Sequence, residues 1–174
     1  MCMVCIEKHF SNLRSSTMKK IVLISCVSKK GKSKAKAKDL YQSALFKLSL
    51  SYAQSLNPDK IFILSALHYL LDPETEIEPY DVTLSNVPKN KRKPGLKVLN
   101  AEEKDEWGKM VIDQLSRQTD IENDKFIILA GQEYIKPINM KLKKENTYLP
   151  LAGLRQGERL AYLKKQVNNE YTVA

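Results

Sequence analysis

The chain has no long apolar run. Its uninterrupted hydrophobic stretches are short, such as Phe126 to Ala130, and none approaches the ~20 residues of a membrane span. No apolar region of signal-peptide type opens it, so a protein of the cytoplasm without membrane association is expected. Cysteine is scarce: Cys2, Cys5 and Cys26 are odd in number and badly spaced for a disulfide framework, which agrees with a reducing compartment. Histidine is scarcer, with two in the chain. Cys2-x-x-Cys5 followed by His9 hints at metal ligands, but a closed zinc site needs a fourth that the segment lacks, so no metal is expected. The GxxxxGK[ST] spacing of a P-loop is absent, no cofactor is expected, and no internal repeat is found.

Acidic residues are also in deficit, 20 against 29 Lys and Arg, giving a formal net charge of +9. The placement is uneven. Residues 1–40 carry ten Lys or Arg against only Glu7 and Asp39. A second cluster, Lys89, Lys91, Arg92, Lys93 and Lys97, lies beside Pro88 and Pro94. Basic loops of this kind suit phosphate contacts, so residues 29–38 and 89–97 are expected to meet DNA or RNA, the alternative being a solvated lysine-rich surface. Met18-Lys19-Lys20 reads as a natural start, which makes residues 1–17 an expected disordered leader and 18–174 one globular domain.

Within that domain a rhythm appears. Ile21–Ile24, Ile61–Leu64 and Phe126–Leu129 are short, continuously apolar runs, the mark of strands covered on both faces. Between them lie helical patterns. Asp39 is a candidate cap for a helix through Tyr41, Leu45, Leu48, Tyr52 and Leu56, and Asn100 with Glu103 reads as a capping box. A last helix is expected from Gln156. Strands alternating with helices predict an α/β fold, a mostly parallel central sheet with helices on both faces. Ligands of such sheets bind outside the carboxyl ends of the strands, where Ser25 to Lys38, Ser65 to Asp81 and Gly131 to Tyr134 would converge.

Those loops hold the chemistry. Ser25-Cys26-Val27-Ser28-Lys29-Lys30 offers hydroxyls, a thiol and cations. Cys26 is either a nucleophile activated by the lysines or buried packing, and Lys29 or Lys30 either a phosphate ligand or a loop lysine. His68 suits proton transfer or a structural hydrogen bond, with Ser65 beside it. In Glu78-Pro79-Tyr80-Asp81, Tyr80 suits stacking on a planar base while Glu78 or Asp81 binds donors or acts as a catalytic acid; a rigid turn is the plainer alternative. Gly131 permits close backbone approach and Tyr134 adds a phenol, the alternative being a plain helix start at which Gly131 serves only geometry. Arg159, with Arg155, stands near a helix N-terminus, a place that favours anions, the alternative being a capped turn.

The stretches SCVSKK, AKDLYQSALFKLSLSYA, FILSALHYLLDPETEIEPYDVTL, FIILAGQEYIKPI and PLAGLRQGERLAYL together resemble a bacterial and phage family catalogued as a domain of unknown function, from about Ile21 to Leu163. More distantly, a small residue and Cys after the first strand, then Lys, then Tyr-x-Ser, is similar to the peroxide-stress YaaA family and the core of archaeosine synthase, which acts on a 7-deazaguanine base in tRNA. On that resemblance Cys26, Lys29, Tyr41 and Ser43 fall on the motif positions. Ser25 stands where archaeosine synthase has Pro, and Phe46 about where it has His. The resemblance points to nucleobases and nucleic acid. The expected function is an enzyme acting on a modified or unusual base, by modification or N-glycosidic cleavage. The alternatives are a nucleic-acid-binding module without chemistry, or a ribosyl-transfer enzyme of small nucleotides.

Overall fold

The computed structural model describes residues 17–170. The leader expected over residues 1–17 therefore lies, but for Thr17, outside the described residues, as do Cys2, Cys5 and His9. From its first strand the chain runs through β1 (Lys20–Ser25), β2 (Ala35–Lys36), a one-turn helix α1 (Ala37–Leu40), α2 (Ala44–Ser55), β3 (Lys60–Ser65), β4 (Tyr69–Leu71), β5 (Glu76–Ile77) and β6 (Val82–Thr83). It continues through β7 (Lys97–Val98), α3 (Ala101–Gln118), β8 (Lys125–Leu129), α4 (Gln132–Asn139), β9 (Thr147–Tyr148) and α5 (Gln156–Glu170).

The central sheet has the order β4-β3-β1-β8-β9, and every pairing is parallel except β3 with β4. In the middle, Ile21 sits opposite Lys60 and Phe126, and Leu23 opposite Phe62 and Ile128. Successive strand residues face opposite sides, so the complete burial of Ile21, Val22 and Leu23 means that β1 is covered on both faces. Helices supply that cover in two pairs, α2 against α5 and α3 against α4. The α/β fold with a mostly parallel sheet is thus the one its apolar runs predict, and its buried side chains form one continuous core.

Local chemistry explains the boundaries. The Asn100 side chain accepts from the Glu103 N–H while the Glu103 carboxylate accepts from the Asn100 N–H, so the expected capping box starts α3. Asp39 does not cap the second helix. It lies inside α1, and the cap of α2 is Ser43, whose Oγ accepts from the Phe46 N–H at 3.1 Å. The reason is Tyr41, held extended at φ −80° and ψ 116° because it bridges to Lys30.

A second difference lies after β3. The stretch expected as one long loop turns back at once, Ser65 pairing with Tyr69, and builds the antiparallel edge strand β4. Only Ala66, Leu67 and His68 separate the two, and Tyr69 takes a left-handed φ of 60° to close the turn. Asp124, buried at the start of β8, accepts from the backbone N–H of Lys19 and of Asp120, tying the entries of β1 and β8 together.

Candidate functional site

β1 is central, and the chain passes first to β3 on one side of it and later to β8 on the other. The boundary between β1 and β8 is therefore a topological switch point, where the loops leaving the two strands part and open a crevice. A cavity of about 520 Å³ lies there, a size that suits a small-molecule or nucleotide ligand.

Eight of the residues singled out from sequence line it: Ser25, Cys26, Lys30, Ser43, Asp81, Gly131, Tyr134 and Arg159. They come from five separate stretches of chain. Lys91 and Lys93 close the cavity from the second basic cluster. Its charged lining is Lys30, Lys91, Lys93 and Arg159 against the single carboxylate of Asp81. The N-caps of α2 and α4, Ser43 and Gly131, and the first residue of α5, Gln156, also face it, so the positive ends of three helix dipoles converge with the four cations. The arrangement favours an anion.

The thiol of Cys26 is buried and sits 3.3 Å from the Tyr134 hydroxyl. Burial, and then the nearby Cys26, push the Tyr134 pKa upward, so the phenol stays neutral near pH 7. Lys30 lays its ammonium 4.3 Å from the centre of the Tyr80 ring and 5.7 Å from that of Tyr41. Burial lowers its pKa first of all. Cys26 and Asp81 oppose the shift, and Lys93 adds to it. Asp81 is paired with Lys93. The Arg159 Nε–H donates to the Leu154 carbonyl at 2.9 Å, which leaves the outer guanidinium nitrogens over Gly131. A Cβ on Gly131 would lie 3.1 Å from one of them, so an added methyl group would make the guanidinium end shift by a few tenths of an ångström.

Six residues singled out from sequence lie elsewhere. Tyr41 and Ser65 are fully buried beneath the cavity. The Tyr80 hydroxyl lies between them, 2.6 Å from the Tyr41 hydroxyl and 2.7 Å from Ser65 Oγ, which itself accepts from the His68 N–H. Burial raises the pKa of both tyrosines, so they serve as neutral hydrogen-bonding groups. Tyr80 turns inward, with Lys30 over its face and His68 against its edge, while its neighbour Asp81 turns outward. His68 stands behind that ring with Nε2 buried and without a hydrogen-bond partner among the described residues, and desolvation lowers its pKa. Lys29 and Glu78 are exposed away from the cavity. Of the first basic stretch, Lys36 and Lys38 are both paired with Glu74.

Thr83, Ser85 and Gln156 line the cavity without having been singled out. Thr83 and Ser85 follow Asp81 in chain, and nothing in their spacing marks them. They arrive through the pairing of β6 with β7, a contact of two residues per strand that carries no periodic signal.

A larger and more open cavity of about 890 Å³ lies beyond the 86–92 segment, at the N-terminus of α3. Its charges are largely spent on one another, Lys104 binding both Glu133 and Asn86. The switch-point cavity, with its unbalanced cations, is the candidate site. Among the described residues no cluster of His, Cys, Asp and Glu is arranged to hold a metal ion, and no helix is long and apolar enough to cross a membrane.

Fold and site thus define an open α/β protein with an anion-favouring crevice at its switch point. The model of a family of unknown function (DUF6884) matches residues 21–165, and the chain belongs to that family. No curated protein and no solved structure matches it.

Proposed function

We propose that the cavity receives a phosphorylated nucleoside unit of DNA or RNA and that the protein acts on its base, by cleaving the N-glycosidic bond or altering the base. The observation that carries this reading is one carboxylate, Asp81, set among Lys30, Lys91, Lys93 and Arg159 at the mouths of three helices. Cations and helix N-termini hold phosphate. A carboxylate paired with Lys93 suits the stabilisation of developing positive charge on a sugar ring, or the orientation of water towards it. Cys26, Tyr134 and the serine hydroxyls supply hydrogen-bonding groups around an extruded base. The similarity of the Cys26, Lys29, Tyr41 and Ser43 positions to the YaaA and archaeosine synthase motifs supports a nucleobase as the reacting group. The exposed lysines of the 89–97 segment, Lys91 and Lys93 at the rim among them, favour a polymer over a free nucleotide.

One observation favours the binding-only alternative: Asp81 already has a partner in Lys93. Mass spectrometry separates the two. DNA and tRNA pools incubated with the native protein and with Asp81→Ala should show a released or altered base only with the native protein. Salt-sensitive binding with no change in any pool would leave a binding module.

A further inference from the structure

We propose that Lys30 is a covalent amine: in the switch-point cavity its Nζ adds to the C1′ aldehyde of a base-free sugar, forming an imine through which the sugar–phosphate chain is cut. This rests on reading the cavity as a nucleoside site.

Lys30 differs from the other lysines around it. Its backbone is clamped although it belongs to a lysine-rich loop: the residue bridges to Tyr41, the Gly31 N–H donates to the Leu40 carbonyl at 2.8 Å, and the Gln42 N–H donates to the Lys29 carbonyl at 2.9 Å. Its amine is positioned over the Tyr80 ring, which is itself held by Tyr41 and Ser65. Among the described residues it makes no ion pair, a trait it shares with the exposed Lys29 and Lys91 but combines with half-burial, whereas Lys36, Lys38, Lys93 and Lys104 each have a carboxylate. An ion-paired lysine is a structural cation. A fixed, half-buried and unpaired one is a candidate nucleophile. Desolvation and the Lys93 charge both favour the neutral amine, the form that attacks a carbonyl.

The chemistry closes with groups at hand. The ring-opened sugar offers an aldehyde; the neutral Nζ bonds to C1′, and the carbonyl oxygen leaves as water, carrying off the two protons of the amine nitrogen. The imine acidifies C2′. Loss of a C2′ proton breaks the C3′–O bond, and the phosphate leaves with the electron pair. Water then cleaves the imine, freeing Lys30 and an unsaturated aldehyde. Asp81, close enough to act on the Lys30 charge, is the carboxylate placed to carry these protons. The surrounding cations hold the departing phosphate.

The test uses the full chain and an oligonucleotide carrying a preformed abasic site, with sodium borohydride to reduce any imine to a stable amine. The expected result is a one-to-one adduct that peptide mass mapping places on Lys30, lost in Lys30→Arg while that variant still binds the oligonucleotide. An adduct retained in Lys30→Arg, or mapped to Lys91, Lys93 or other exposed lysines, overturns the proposal. So does the absence of an adduct from native protein that binds the oligonucleotide. Because the base is already gone from this substrate, base release from intact nucleic acid is scored separately: release without an adduct would sink the Lys30 step alone, and an adduct without release would sink glycosidic cleavage alone.

Discussion

The Sγ of Cys26 lies 3.3 Å from the hydroxyl of Tyr134, joining the residue that follows β1 to the first turn of α4. The Tyr134 ring meets Trp107 edge-on at 5.8 Å, so hydroxyl and ring do separate work. Tyr134→Phe removes only the hydrogen bond and should cost about 1 kcal/mol of stability. Tyr134→Ala also empties a buried ring site and should cost about 3–5 kcal/mol. Urea unfolding of both variants checks this; equal losses would mean that ring packing contributes little.

Two glycines should respond in opposite ways to the same added methyl group. At Gly108 a Cβ would fall 2.4 Å from the Pro137 carbonyl oxygen, a backbone atom of the facing helix. Gly108→Ala should therefore destabilise by about 1–3 kcal/mol through overpacking, although alanine is intrinsically the better helix former. At Gly131 the obstacle is the end of the Arg159 side chain, which can move. Gly131→Ala should leave the melting temperature nearly unchanged and weaken phosphate binding by displacing the guanidinium. Calorimetry on both variants with inorganic phosphate as the probe tests the contrast, and a stabilised Gly108→Ala would show that α3 and α4 are less closely packed than the structure has them.

Ion release should dominate affinity for nucleic acid. Each lysine that touches phosphate on a single strand contributes about −0.7 to the slope of log K against log salt. Lys91→Ala should reduce the slope by about that amount, and Lys93→Ala should do so while also freeing Asp81 from its pair. Fluorescence anisotropy with a labelled oligonucleotide across a salt series reads both. Slopes that match the native protein would remove the 89–97 segment from the interface.

His68 sets a pH dependence whose sign follows from its burial. Its folded pKa lies below the ordinary 6.5 because desolvation disfavours the charged ring. Between the two values the unfolded chain binds more protons, so stability rises with pH there. The contribution is complete above 6.5 and is lost as pH falls through the lower folded value. Denaturation curves at pH 7.5, 6 and 5 should show His68→Phe losing less stability on acidification than the native chain. Parallel losses would mean that His68 has the same pKa in both states.

Much of this was legible in the chain. The strand runs, the capping box of Asn100 with Glu103 and the helix from Gln156 are signals of local period and cap chemistry, written within a few neighbouring residues. The convergence of Ser25, Cys26, Gly131 and Tyr134 follows from the parallel order alone, because every loop after such a strand reaches the same edge. Asp39 misled because a good capping residue preceded the apolar period, while the stop at Tyr41 depends on its bridge to Lys30, eleven residues upstream.

The polar cluster of residues 65–81 shows where local reading ends. Sequence by itself determined that Ser65 lies at a strand end with His68, Tyr80 and Asp81 after it, and that lysines crowd two segments. Tertiary structure alone decided that Ser65 and Tyr80 turn inward to hold one another, that Asp81 turns outward to Lys93, and that Lys30 rests on the Tyr80 ring with no ion-pair partner among the described residues. The physical reason is that side-chain type is local, whereas burial and pairing depend on which distant segment arrives: neighbours on an extended strand face opposite sides, and the hairpin to β4 and the fold of the 85–96 segment settle which side is the core.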